Sequence, residues 1–335
     1  MVSSQVSVPA AGCYVPAITF FDPETDRLDL QAQKAYYAYL ANTGLKGLVI
    51  LGTNAETFLL SREERKTLLQ LAREAVPAGF PIIAGVSGHS TSQVLEYISD
   101  AYEAGSDYVL LLPCAYFGKQ TTPAVVNKFF DEVAKASPLP IILYNFPAVC
   151  NGLDLDSDII TDIAKRNANV VGVKLTCGSV AKIARLAATF SPSRFAVFGG
   201  QSDFLLGGLA VGSTGCIAAF ANIFPKSVAR LYDLWESGRQ DEALQLQQTL
   251  SLAEAPTKAG IANTKYAAAI MTARAAGIQN AARLLAPRRP YEEPPAAAKS
   301  RIEKTMEPLR YLETGAGTSS IASQSTSSEK LRPRL

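Results

Sequence analysis

The sequence predicts an α/β fold, a (β/α)8 TIM barrel with a C-terminal helical appendix, and three observations carry that reading. Eight short apolar or β-branched runs recur along the chain, at residues 14–21, 47–51, 81–86, 108–112, 140–145, 170–176, 195–199 and 214–219. Helical patterns lie between most of them, so strand and helix alternate. The runs are continuously apolar rather than alternating, which implies burial on both faces, as in a parallel sheet covered by helices.

Individual elements support the pattern. Residues 91–104 place Val94, Tyr97, Ile98 and Ala101 on one helical stripe, and Gly105 is positioned to end the helix. Ser61 followed by Glu64 makes a capping box, in which each side chain satisfies the other's free backbone N–H and marks a helix start. Eight such units close naturally into a barrel, whereas an open doubly wound sheet would usually carry a glycine-rich dinucleotide loop after its first strand. Thr19-Phe20-Phe21-Asp22 is no such loop. Beyond Ala219 the strands stop, and helical patterns fill 225–237, 240–253, 258–277 and 296–312. The expected organisation is an N-terminal arm over 1–12, the barrel over 13–236, a C-terminal helical region over 237–313 and a disordered tail over 314–335. That tail is rich in Ser, Thr and Gly, with too little apolar surface to offset the entropy of ordering.

Composition removes several classes of function. Thirty-two basic and 30 acidic residues leave a net charge of +2, which offers no electrostatic footprint for nucleic acid or an anionic membrane surface. Neither partner is expected. The five cysteines are odd in number and widely spaced, without zinc-site or disulfide-framework spacing, and read as reduced intracellular thiols. With a single histidine, His89, a Ser-His-Asp or Cys-His hydrolase is disfavoured and a His-rich metal centre is excluded. His89 falls in a Ser-Gly-His-Ser loop and reads as non-catalytic. No apolar run reaches the roughly 18 to 20 residues of a membrane span. Residues 1–12 lack both the pattern of a signal peptide and the arginines of a mitochondrial presequence. A cytoplasmic location is therefore expected, with the terminal Pro-Arg-Leu a faint echo of the Ser-Lys-Leu peroxisomal address.

The chemistry concentrates on Lys174, which interrupts Val170-Val171-Gly172-Val173-Lys174-Leu175-Thr176, otherwise barrel core. Burying an ammonium is costly, so such a lysine tends to lose its proton, and a neutral amine is the nucleophile of Schiff-base enzymes. A lysine paired with a buried carboxylate, or one snorkelling out of the strand's end, is the structural alternative. Other unusual residues fall at the carboxyl ends of the proposed strands, where barrel enzymes assemble their sites. After the second strand comes Gly52-Thr53-Asn54-Ala55-Glu56, whose hydroxyl and backbone N–H groups could hold a carboxylate, or which could be an ordinary turn. At the end of the fifth, Tyr144-Asn145-Phe146-Pro147 places a phenol one strand from Lys174, either to shuttle a proton or simply as core.

Together these residues resemble the dihydrodipicolinate synthase and N-acetylneuraminate lyase family of class I, pyruvate-handling aldolases, over about residues 12–290. The loop 52–56 is similar to the family's Gly-(Ser/Thr)-(Thr/Asn)-Gly-Glu, 144–147 to its Tyr-Asn-x-Pro, and 172–174 to the strand bearing the Schiff-base lysine. The resemblance implies that Thr53 and Asn54 bind the pyruvate carboxylate, Tyr144 is acid and base, and Lys174 forms the imine. It further implies that Gly200 and Ile217 line the pyruvate, and that no metal or dissociable cofactor is needed. Family members are commonly tetramers in which a neighbouring subunit's tyrosine joins the proton relay, and Tyr116 is the candidate here. Ala55 replaces the family's loop glycine, so the turn must form with a Cβ present.

The arginine that a dihydrodipicolinate synthase carries shortly after Tyr-Asn-x-Pro is missing from Ala148-Val149-Cys150-Asn151-Gly152. Thr176, on the same side of its strand as Lys174, looks like the hydroxyl used by the family's sugar-acid lyases. The expected partners are a small 2-keto acid and an aldehyde. The expected reaction is retro-aldol cleavage of a 4-hydroxy-2-oxo acid, a 2-keto-3-deoxy sugar acid such as L-threo-3-deoxy-hexulosonate, to pyruvate and an aldehyde. The alternatives are 4-hydroxy-2-oxoglutarate aldolase, which Pro113-Cys114 also resembles, then dihydrodipicolinate synthase, and a catalytically silent pyruvate-binding protein.

Overall fold

The computed structural model describes residues 6–314; the expected tail lies outside them apart from the backbone of its first residue. Eight parallel strands form a closed barrel in chain order: β1 (Gly12–Pro16), β2 (Gly47–Ile50), β3 (Ile82–Gly85), β4 (Tyr108–Leu111), β5 (Ile141–Asn145), β6 (Val170–Leu175), β7 (Ala196–Gly199) and β8 (Gly215–Ile217). Every residue in them is buried, because helices cover the outside and side chains fill the inside. The inner cluster includes Tyr14, Ile83, Leu110, Ile142, Phe198 and Ile217, while Val15, Leu48, Val109, Val173 and Val197 face the helices.

Around the barrel run α1 (Leu30–Ala41), α2 (Arg62–Ala75), α3 (Thr91–Glu103), α4 (Pro123–Ala136), α5 (Ser157–Arg166), α6 (Val180–Thr189), the short α7 (Leu205–Leu209) and α8 (Pro225–Glu236). Their starts follow local chemistry. Asp29, Ser90, Thr122 and Asp156 each cap a free N–H in the first turn, and Ser61 and Glu64 form the expected capping box. Gly105, at φ +76°, follows α3 in the left-handed region that glycine enters without penalty.

The first apolar run is strand only as far as Pro16. Ala17 still donates to the Val49 carbonyl, but beyond it the Ile18 N–H donates to Asn222 Oδ1 and the Phe20 N–H to Gln33 Oε1. Side chains have taken over from the ladder, so residues 17–21 are buried without being sheet. The C-terminal region holds α9 (Gln240–Glu254), α10 (Ile261–Ile270), α11 (Thr272–Ala275), α12 (Ala281–Leu284) and α13 (Ala296–Thr314). The single helix expected over 258–277 is divided. Gly260, at φ +155°, separates a 3₁₀ turn (Ala255–Ala259) from α10, and Met271, at φ −115° and ψ −91°, separates α10 from α11.

One irregularity matters for function. The β5–β6 register slips between Ile141 and Ile142, which pair with Val170 and Gly172 and leave Val171 without a partner. Val171 belongs to the inner cluster and Val173 to the outer one, although two residues apart they should share a face. The bulge resets the alternation, and Lys174 emerges opposite Tyr144.

Candidate active site

The carboxyl ends of the strands open into a cavity of about 590 Å³ lined by Thr53, Asn54, Tyr144, Lys174, Thr176 and Gly200, among others. Lys174 is 2 % exposed and points its Nζ toward this space, 4.2 Å from the centroid of the Tyr144 ring. Among the described residues no carboxylate lies within ion-pair distance of that nitrogen. The structural alternative of a buried salt bridge therefore falls away.

Tyr144, at the end of β5, is buried, and its hydroxyl lies 3.4 Å from Thr53 Oγ1. Asn145 has a different task. Its amide donates to Asp154 Oδ1 at 2.7 Å and to the Leu155 carbonyl, and its own carbonyl accepts the Leu155 N–H, so it ties down the loop after the strand. Thr53 and Asn54 sit in a 3₁₀ turn (Thr53–Ala55) just beyond β2. Ala55 needs no special backbone there, because the left-handed conformation falls on Glu56, at φ +56°. Thr19 Oγ1 holds the turn by donating to the Ala55 carbonyl at 2.8 Å.

Thr176 follows β6, and its buried Oγ1 has no hydrogen-bond partner. Gly200 is required beside it: a Cβ there would lie 2.1 Å from Thr176 Oγ1 and 2.5 Å from its Cα. Two expected residues stand elsewhere. Ile217 is wholly buried among the inner barrel side chains and does not line the cavity, where Ala219, two residues on, does. Tyr116 is 69 % exposed and outside the cavity, its ring 5.6 Å from that of His89, which stacks in turn on Phe58 at the rim.

The structure adds a second wall that the strand-by-strand reading missed, formed by the helices after the barrel. Along α9 and its 3₁₀ continuation, Gln247, Ser251, Glu254 and Lys258 face the loop after β7. The Gln247 amide donates to the Ser202 carbonyl at 2.9 Å and its oxygen accepts the Leu206 N–H, while Ser251 Oγ donates to the Asp203 carbonyl. Ser202 Oγ donates to Glu254 Oε2 at 2.5 Å, and Lys258 pairs with Asp203 and donates to Gln201 Oε1. Burial, chiefly, pushes the Glu254 carboxyl up to about 7, with Asp203 adding to it and Ser202 and Lys258 opposing. Spacings of four, three and four in sequence put these four side chains on one helical face, and that polar stripe was the available signal. Among the described residues no group of three or more His, Cys, Asp or Glu could hold a metal ion.

The dihydrodipicolinate synthetase family model matches residues 9–306. A Coccidioides immitis protein named "Putative 4-hydroxy-2-oxoglutarate aldolase, mitochondrial" is 62% identical over 308 residues, covering 92% of this chain and 98% of its own. The L-threo-3-deoxy-hexylosonate aldolase of Aspergillus niger is 38% identical over 284 residues, covering 76% of this chain and 84% of its own. A crystal structure of a dihydrodipicolinate synthase family protein from Coccidioides immitis superposes with a TM-score of 0.87 at 59% identity, over 92% of this chain and 98% of that one.

The mitochondrial designation of that relative overturns the expectation of a cytoplasmic or peroxisomal location. A cellular address is carried by short terminal segments that contribute nothing to the barrel, so the absence of arginines in 1–12 was a poor guide. Barrel, buried lysine and similarity over nearly the whole chain agree: this protein belongs to the dihydrodipicolinate synthase family, carbon–carbon lyases that work through a lysine Schiff base.

Proposed function

We propose that Lys174 forms an imine with a 4-hydroxy-2-oxo acid and that the enzyme cleaves it to pyruvate and an aldehyde. The observation that carries this reading is a buried amine that opens on a cavity without a carboxylate partner, beside a phenol linked to a hydroxyl-bearing loop. Thr53 and Asn54 hold the C1 carboxylate. Lys174 adds to C2, and Tyr144 donates its proton to the departing hydroxyl, giving water, an iminium and a phenolate. The phenolate takes the C4 hydroxyl proton as the C3–C4 bond breaks, and the electron pair passes into the iminium to give an enamine and the free aldehyde. Tyr144 then protonates C3, and hydrolysis of the iminium releases pyruvate and the amine. No metal is needed for these steps, because the iminium is the electron sink.

For the aldehyde half we propose a 2-keto-3-deoxy sugar acid. Thr176 lines the cavity and its buried Oγ1 has no partner, which suits a substrate hydroxyl that can both donate and accept. Among the described residues Lys258 is the only cation besides Lys174 that lines the cavity, and it is already paired with Asp203, which makes it a poor anchor for a second carboxylate. The second reading is 4-hydroxy-2-oxoglutarate, favoured by the similarity to the Coccidioides protein so named. We also propose a homotetramer in which Tyr116, exposed in the single chain, meets a neighbouring site.

Borohydride reduction in the presence of pyruvate tests the chemistry: a pyruvyl-derived mass on Lys174 is expected, and no labelling would sink it. Pyruvate release from 2-keto-3-deoxy hexonates and pentonates, measured against 4-hydroxy-2-oxoglutarate, tests the substrate. Higher kcat/KM for the dicarboxylate than for every sugar acid would replace our choice with the second reading.

A further inference from the structure

Glu56 adopts a left-handed backbone at φ +56°, a conformation that is unfavourable for a residue with a Cβ unless its surroundings hold it. Here they do, through the side chain. Glu56 Oε2 accepts from Lys265 Nζ at 2.6 Å, and Oε1 accepts the Arg288 backbone N–H at 2.8 Å. Lys265, on α10, has no exposed surface, and burial pushes its ammonium pKa down while the Glu56 carboxylate opposes. Its Nζ lies 4.6 Å from the centroid of the Phe21 ring, and the Arg288 guanidinium lies 5.0 Å from the same centroid. Arg288 is itself anchored, through bonds to the Leu59 carbonyl and to Glu64. Two segments from beyond the barrel therefore converge on one carboxylate, in the residue next to the Thr53–Ala55 turn.

A buried ion pair is a poor means of gaining stability, since desolvating both charges offsets most of their attraction and a well-packed neutral pair often does as well. What it supplies is direction. The two oxygens of Glu56 accept from donors on separate segments, and that leaves its side chain, and the backbone attached to it, one orientation. Thr53 Oγ1 meets the Tyr144 hydroxyl only if that turn keeps its place.

We infer that the buried Glu56–Lys265 pair, with the Arg288 N–H, is a positioning device from the C-terminal helices that presents Thr53 and Asn54 to the substrate carboxylate. This rests on reading the turn as the carboxylate site. The residues act through Thr53 and Asn54 and touch no reacting atom.

The test separates placement from folding. In the double variant E56Q/K265M the buried charges are removed together, and the introduced amide oxygen can still accept the Arg288 N–H. The pyruvate concentration giving half-maximal borohydride labelling should rise about tenfold or more, corresponding to about 1.4 kcal/mol of lost binding. The labelling rate at saturating pyruvate should fall by less than about threefold, because Lys174 is untouched. Backbone amides of Ala55 and Glu56, which bond the Gly52 and Thr53 carbonyls, should exchange with deuterium about tenfold faster once position 56 is altered. A purely structural role predicts a lower Tm with half-saturation and exchange both as in the wild type, and that result overturns the inference. Should the double variant not fold, E56D keeps the charge but shortens the reach, and a wild-type half-saturation there overturns it equally. A wild type that does not label would sink the Schiff-base reading instead, and the exchange measurement, which needs no ligand, would still decide this one.

Discussion

Replacing Glu254 by glutamine is the perturbation whose sign and size follow most directly from the structure. The carboxyl sits at the end of α9 with 2 % exposure, accepts from Ser202 Oγ at 2.5 Å, and is pushed up to about 7 mainly by burial. A raised carboxyl pKa means that the folded chain holds the proton more tightly than the unfolded chain does. Its contribution to stability is therefore complete below the ordinary carboxyl range and is lost as pH rises through about 7. Moving from an ordinary 4.5 to about 7, at about 1.4 kcal/mol per factor of ten, gives a loss on the order of 3 kcal/mol across that window. Glutamine is neutral throughout, and its amide can donate to Ser202 Oγ, so Glu254→Gln should lose none of it. Urea denaturation of both proteins in matched buffers from pH 5 to 8 reads the difference. The variant should gain on the wild type steadily up to about pH 7 and hold the gain above it. A difference between the two proteins that stays flat over the whole range would show an ordinary carboxyl and refute the reasoning.

Three other substitutions test the site. Lys174→Met should abolish borohydride labelling and activity while Tm holds or rises, because a buried amine is exchanged for an apolar chain of similar length; a labelled, active variant would place the imine on another lysine. Tyr144→Phe should lower kcat by about 10²–10⁴ with pyruvate half-saturation changed far less, and a kcat near wild type would remove Tyr144 from the proton relay. Gly200→Ala would set a Cβ 2.5 Å from the Thr176 Cα, which cannot swing aside as a side chain can, so the urea midpoint should fall by an equivalent of about 1–3 kcal/mol. An unchanged midpoint would mean that the two loops move freely past each other.

The barrel was legible because its signals are local. Continuous apolar runs, the Ser61–Glu64 box and Gly105 each name an element without reference to the rest of the chain, and all three lie where expected. Lys174 and Tyr144 were legible for a similar reason, each being a polar group at the end of an apolar strand. The limits of that reading have specific causes. The run over 17–21 has strand composition, but beyond Ala17 its backbone groups bond instead to Asn222, Gln33, Asp29 and Leu284, none of them in a barrel strand. Ile217 was placed by analogy along β8, but the cavity begins beyond the strand, at Ala219. The β6 bulge cannot be read from Val171 and Gly172 alone, since it depends on how Ile141 and Ile142 pair across the sheet.

The helices after the barrel are the part whose role sequence periodicity could not express. Their polar side chains are addressed to two loops far away in the chain. Gln247, Ser251, Glu254 and Lys258 hold residues 201–206 on one side of the cavity, and Lys265 with Arg288 holds Glu56 on the other. Strands alone place Lys174 and Tyr144, whose positions are set by ladder register. Loops have no ladder, and an isolated loop would spend conformational freedom each time substrate bound. Buried hydrogen bonds from a second layer remove that freedom in advance, and on the proposed reading the two clamps would serve different parts of the substrate: one the turn proposed to hold the carboxylate, the other the side of the cavity proposed to receive the aldehyde half. Changes at Lys265 should therefore alter affinity for pyruvate itself, whereas changes at Lys258 should alter only the choice among aldehydes. A Lys258→Met protein with wild-type pyruvate half-saturation and a redrawn substrate panel is the expected outcome, and a parallel loss against every substrate would show that the two clamps are one.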